Sequence, residues 1–599
     1  MATGDFGMHD RRVLTDCAMG RVPADLVLRN GRLVSVQTRE ILEHMDVAIV
    51  DGRIAYVGED AAYTIGRETR VIDVQGKFLV PGLLDAHMHV ESGMVTVTEF
   101  VRIVLPHGTT GMFVDPHEIA NVFGLRGVRL MVDEAAQMPS HVFVQMPSCV
   151  PSAPGLETPG AIVGPAEVAE AMTWPGIIGL GEVMNFPGVF NGDDKLHAEM
   201  AVVRGAGKVI GGHYASPDLG MPFHGYVAGG AQDDHEGTRL EDALARARQG
   251  MSVMMRYGSA WHDVAAQAPA LTEQGLDSRN FLLCTDDCQA ATLVNEGHMD
   301  RVVRHAIAQG IPPLVAIQMA TINTAEHFGV SQEIGLIAPG RYADILIVSD
   351  LADLHAETVI CKGEIAAENG ELKIALPVIT YPQWALHSVH LPDAVTPADF
   401  RLVPAQISPA ETMTAHVIGV IENHTPTRHL EFPVTLQDGQ VQADMSRDLA
   451  KIAVVERHHG TGRVQVGLVN GFGFNVPCAV ATTVAHDSHQ MIVVGTDDAD
   501  MAKAVNRLAD VGGGQVVFRQ GEELGLVELP IAGLMSNERA EVVAAKAGGV
   551  LDAFRSCGCG LNNPNMQLSL LALVVIPELR ISDLGLVDVN RFDFIPVLE

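Results

Sequence analysis

Residues 78–90 read FLVPGLLDAHMHV, an apolar run of strand length that closes on Asp85-Ala86-His87-Met88-His89. At the two-residue period of a strand, His87 and His89 project to the same side. Seven further apolar runs follow. They are TTGMFVDPH from Thr109, HVFVQMP from His141, IIGLGEVMN from Ile177, KVIGGHY from Lys208, YVAGGAQDDHE from Tyr226, MSVMMRYGS from Met251 and NFLLCTDD from Asn280. Helical segments lie between several of them, such as LEDALARARQG from Leu240, whose Leu and Ala recur at helical spacing. Eight strand candidates joined by helical connections predict an α/β fold, a (β/α)8 barrel of the TIM type rather than an open sheet. Polar residues end nearly every run, and that is the end at which such barrels carry their sites.

The flanks read differently. LVLRNGRLVSV carries Asn30-Gly31 and VAIVDGRIAYVG carries Asp51-Gly52, both hairpin signals between alternating apolar residues. The same style returns in GLIAPGRYADILIVSDL and TVICKGEIAAENGEL. One small discontinuous sheet is therefore expected from residues 1–77 plus 331–391, around a barrel of residues 78–330. Residues 392–599 form a third, α+β region, with strand-like AHVIGVIE and QMIVVG and helix-like DMAKAVNRLADV.

Composition narrows the function. Lys plus Arg number 40 against 73 Asp plus Glu, a formal net charge of −33, which argues against nucleic acid or an anionic membrane as partner. The first twenty residues lack the apolar core of a secretory signal, and the longest apolar stretch, residues 568–576, is well short of the ~20 needed to span a bilayer. A cytoplasmic location is expected. The eight cysteines are scattered too thinly for a disulfide framework, and Cys557-Gly-Cys559 reads as a loop rather than a metal site.

The chemistry gathers at strand ends. Glu182 closes IIGLGEV, His213 closes KVIGGH, His235 lies in AQDDHE and Asp286 in LLCTDD. An ionisable group ending an apolar strand is costly unless paired or coordinated. Each alone reads as a hydrogen-bonded core residue. Together with His87 and His89, in order around one barrel, they read as a binuclear metal site. Asp115, His117 and Glu118 end the second run and face the same mouth as candidate substrate contacts. Glu118 is also a candidate helix-capping charge. Asp287 is a neighbour whose side chain points the other way. His197-Ala198-Glu199 lacks the PCxxC of a cytidine-type zinc site, and Gly471-Phe472-Gly473-Phe474 lacks dinucleotide spacing. His486-Asp487-Ser488-His489 reads as a strand end in preference to a lid over the barrel.

PGLLDAHMHVE, the His213 and His235 pair, Asp286 and GLIAPGRYADILIV resemble the amidohydrolase superfamily. DAHMHVESGMVT, GTTGMFVDPHEIANVFG, PSCVPSAPGLET, GLGEVMNFPGV, VATTVAHDSHQMIVVG and FDFIPVLE resemble, within it, the adenine deaminase family. The resemblance runs over nearly the whole chain. It implies that the flanking segments form a small β-sandwich. It also implies two divalent metal ions, Mn²⁺ first with Fe²⁺ or Zn²⁺ also suited, and a homodimer. His87, His89 and Asp286 would hold one ion, His213 and His235 the other, with Glu182 bridging. Many superfamily members bridge with a carbamylated lysine; Glu182 stands there instead, which speaks against a dihydroorotase-like or hydantoinase-like hydrolase of cyclic amides. The implied reaction is hydrolytic deamination of adenine to hypoxanthine and ammonia by a metal-bridged hydroxide attacking C6, with Asp286 as the catalytic base; Glu118 is a candidate catalytic acid toward a ring nitrogen, with helix capping as the equal alternative. A related amidohydrolase acting on another aminopurine and a non-catalytic barrel that binds a ligand are the alternatives.

Overall fold

Eight parallel strands and their helices build the centre of the molecule. A computed structural model describes residues 11–404 and 412–599; the remaining residues assigned above to the small and C-terminal domains lie outside the described residues. The barrel strands are β1 (Leu83–His89), β2 (Thr109–Val114), β3 (His141–Met146), β4 (Ile177–Val183), β5 (Val209–Gly212), β6 (Asp233–Asp234), β7 (Ser252–Arg256) and β8 (Phe281–Cys284). Strands β1 to β5 pair in parallel, as do β6 to β8. Asp286–Asp287, just past β8, pairs with Met88 and His89 of β1. Between β5 and β6 the Gln232 amide donates to the Ile210 carbonyl at 2.9 Å.

The lower barrel is a packed core. Leu84, Ala86, Phe113, Phe143, Ile178, Val209, Met254 and Leu282, drawn from seven of the eight strands, pack with Phe328. The Phe113 ring stacks on Phe328 with centroids 3.8 Å apart. Such interior layers fill a TIM-type barrel and leave only its C-terminal rim for a site. In β1 the pairing to β2 shifts register between Asp85 and Met88. The irregularity lies between the apolar layer of Leu84 and Ala86 and the rim residues His87 and His89, and such bulges re-aim side chains next to sites.

Two local readings need correction. The run from Tyr226 is not a strand: Met221–Gly229 is helical and β6 has two residues, because glycines 229 and 230 break the apolar stretch. Asn30-Gly31 is not a hairpin turn. It lies inside the single strand Leu26–Ser35, where Asn30 takes φ +60° and the register shifts, making a bulge. A Cβ on Gly31 would stand 2.6 Å from the Leu79 side chain and would force it to shift. Asp51-Gly52 does turn a hairpin, both residues at positive φ between paired strands.

Phe78–Pro81 leaves the barrel for the small sheet, pairing with Leu26–Ser35 on one side and Ile345–Val348 on the other. That sheet has nine strands drawn from both flanks, and its core mixes Leu26, Val47 and Ile54 with Ile345 and Ile360.

A second nine-stranded sheet, with strands between Thr412 and Glu528, forms the C-terminal region, and Asp498–Val511 packs on it. This region docks on the barrel's rim. The Ser536 amide donates to the Met94 carbonyl at 2.9 Å, the Ala540 amide donates to Glu99 at 2.8 Å, and Gln490 Nε2 donates to the Thr158 carbonyl at 2.7 Å.

Candidate metal centre and substrate cavity

The structure brings all six sequence-predicted ligand candidates to the C-terminal rim. Glu182, ending β4, stands among the imidazoles. Its Oε1 lies 2.9 Å from His89 Nε2 and 3.3 Å from His87 Nε2. Its Oε2 lies 2.5 Å from His213 Nδ1 and 3.5 Å from His235 Nε2. Asp286 Oδ1 is 3.2 Å from His89 Nε2 and 4.0 Å from His87 Nε2. The ligand atoms of His87, Glu182 and His235 lie within 4.8 Å of one another, and so do those of His87, His89 and Asp286. All but His213 are buried.

Neighbouring groups orient these side chains. His89 Nδ1 is 2.8 Å from the Asp115 carbonyl; with the proton on Nδ1, Nε2 is free toward the carboxylates. Asp115 Oδ2 accepts the Glu182 amide at 2.7 Å. Asp286 takes φ +59°, a left-handed conformation uncommon outside glycine. Its Oδ2 accepts from Arg256 Nη1 at 2.9 Å, while Arg256 Nε donates to Asp263 at 2.8 Å.

Electrostatics fit divalent cations. Burial would raise the carboxyls of Glu182 and Asp286. The imidazoles of His213 and His235 instead hold Glu182 well below its ordinary range, and His89 and Arg256 do the same for Asp286. Burial opposes protonation of His213, yet Glu236 and Glu182 lift it to about 9. The cluster thus holds anionic carboxylates that demand positive charge among them, and metal binding would displace protons from the imidazoles. His87 Nε2 and Glu182 Oε1 are buried without a hydrogen-bond partner in the protein. Imidazole and carboxylate donors so arranged suit Mn²⁺, Fe²⁺ or Zn²⁺.

The other candidates surround this cluster. His117 Nδ1 lies 3.7 Å from Glu182 Oε1 and 3.8 Å from Asp115 Oδ1. Glu118 sits in the first turn of the helix His117–Phe123, buried, with Oε2 3.9 Å from His89 Nδ1 and no hydrogen-bond partner. Burial and the nearby Glu91 push its carboxyl well up. Asp287 points away from Asp286 and accepts from Ser92 Oγ. Glu199, from the rejected HxE motif, belongs to the helix Asp194–Gly205, buried 3.2 Å from Lys195.

The reading of His486 to His489 as a strand end is corrected. This loop follows the strand Cys478–Thr482 and closes over the barrel mouth, where His486 and Asp487 bring ligand atoms within 4.8 Å of His117. Sequence reasoning also passed over Arg256, Glu236 and Glu91. Arg256 ends an apolar strand, the same signal that picked out Glu182. The loop left no such signal, since its meeting with the barrel is a tertiary event. Beside the ligand cluster a cavity of about 180 Å³ opens at the seam, lined by Glu91, Glu118 and Gln289 of the barrel and His486, His489 and Asn565 of the C-terminal region.

A parallel barrel with imidazoles and carboxylates gathered at its rim defines a metal-dependent hydrolase of the amidohydrolase class. Residues 78–366 match the Amidohydrolase family, and residues 424–593 match the Adenine deaminase C-terminal domain. The chain is 60% identical to "Adenine deaminase 3" of Rhizobium meliloti (strain 1021) over 98% of each chain. It is 61% identical to an "Adenine deaminase" of Mesorhizobium japonicum over 97% of this chain and 95% of that one. Among solved structures, a zinc-bound adenosine deaminase from Xanthomonas campestris aligns with a TM-score of 0.45 at 16% identity, covering 59% of this chain and 94% of that one. The chain belongs to the adenine deaminase family.

Proposed function

We propose that this protein hydrolyses adenine to hypoxanthine and ammonia, using two divalent metal ions at the rim cluster, Mn²⁺ foremost. The observation that carries the reading is Glu182, whose two oxygens face two different pairs of imidazoles. Near 60% identity over the full length of adenine deaminases favours adenine over a cyclic amide.

His87, His89 and Asp286 would hold one ion, His213 and His235 the other, with Glu182 shared. Such a pair supplies Lewis acidity and lowers the pKa of a bound water to roughly 7. Asp286 has one oxygen fixed by Arg256, which leaves Oδ1 to accept a proton from the attacking water and return it to the departing amine. Glu118 Oε2 supplies a proton to a ring nitrogen and so makes C6 a better acceptor. An ultraviolet assay coupled to ammonia detection tests the reading. Equal amounts of hypoxanthine and ammonia are expected, and adenine left unchanged by metal-loaded protein would refute it.

A further inference from the structure

Five buried side-chain atoms that line the seam cavity have no hydrogen-bond partner in the protein: Glu91 Oε2, Glu118 Oε2, His489 Nε2, Asn565 Oδ1 and Ser569 Oγ. Native proteins leave few buried polar groups unsatisfied, so a concentration of them on one small cavity marks where a polar ligand completes the set. Two come from the barrel and three from the C-terminal domain. The barrel pair are carboxyls on the side of the metal-ligand cluster, Glu118 being 3.9 Å from His89.

The C-terminal side offers a donor and an acceptor. The Ala485 amide donates to His489 Nδ1 at 3.2 Å, which leaves the ring proton on Nε2. Burial, with His486 and Arg457 nearby, keeps this imidazole neutral. Asn565 Oδ1 can only accept.

We propose that the C-terminal domain reads the purine edge remote from C6. His489 Nε2–H donates to N3, and Asn565 Oδ1 accepts from N9–H. This rests on the adenine reading above. It gives the C-terminal domain a role, selecting a free base. A nucleoside has no N9–H, and its sugar would have to fit a cavity of about 180 Å³. A site built to bind an N–H rejects analogues lacking it, because its own buried group is left unpaired.

The test compares kcat/KM for adenine, 3-deazaadenine and 9-deazaadenine in metal-loaded wild type, His489→Leu and Asn565→Leu. Wild type should lose roughly 10- to 100-fold on each analogue. His489→Leu should lose a similar factor on adenine, mainly in KM, and stop distinguishing 3-deazaadenine while still distinguishing 9-deazaadenine. Asn565→Leu should show the reverse, and metal content should stay at the wild-type level in both. Equal losses on all three substrates, or a wild type indifferent to the analogues, would overturn the proposal. If wild type leaves adenine unchanged, the deaminase reading fails, and calorimetric binding of the same three compounds decides this one: equal affinities would overturn it.

Discussion

At the scale of the residue, the rim cluster works through divided labour on single carboxylates. Asp286 has Oδ2 fixed 2.9 Å from Arg256 and Oδ1 facing the imidazoles. Asp286→Asn keeps the shape and removes the proposed proton acceptor. Its kcat should fall at least ~10²-fold, the scale of general-base catalysis, and near-normal turnover would refute that role. Glu182→Ala removes a carboxylate within reach of all four imidazoles. Elemental analysis should find it depleted of metal, whereas a wild-type metal content would show that Glu182 is no bridge. Arg256→Met should lower kcat while leaving KM for adenine close to wild type, because it frees Asp286 without touching the base. The strand-end rule made Glu182, His213 and Asp286 legible in the sequence, since a charge closing an apolar strand needs a partner. It applied equally to Arg256, whose role depends on reaching Asp286 from the neighbouring strand.

At the scale of the element, barrel and small sheet meet through buried polar contacts that no periodicity announces. His141, opening β3, lies with Nε2 2.9 Å from Asp344 Oδ2, just before the strand Ile345–Val348. Burial pushes the His141 imidazole down, so it stays neutral. Burial would raise the Asp344 carboxyl, but His141 and the Lys362 amide hold it below its ordinary value. A carboxylate with a lowered folded pKa adds stability above its unfolded value near ~3.9 and loses it as pH falls through the folded value. Asp344→Asn should therefore cost about 1.5–3 kcal/mol at neutral pH, the range of a charge-assisted bond. In chemical denaturation the gap to wild type should close in acid; a gap independent of pH would count against an ionised Asp344 carboxylate. Turn chemistry was legible in part. Asp51-Gly52 turns a hairpin with both residues at positive φ, while Asn30-Gly31 makes a bulge with Asn30 alone there, and the partner strands decide between them.

At the scale of the whole molecule, the ligand cluster draws on β1, β4, β5, β6 and the segment after β8, so bound metal ties the barrel together. Metal binding adds stability only to the folded form, ~2.7 kcal/mol at a hundredfold excess over Kd. Chelation should lower Tm and added Mn²⁺ restore it, with Glu182→Ala unresponsive. The barrel was legible because its strands are apolar runs with polar ends. The seam was not, since it joins residues such as Glu118 and Asn565 that lie hundreds of positions apart. The measurement that tests the account most directly is titration of metal-free protein with Mn²⁺ while adenine turnover is followed. The account predicts hypoxanthine production that rises to a break at two ions per chain. Full activity at one ion, or no adenine turnover with two bound, would contradict it.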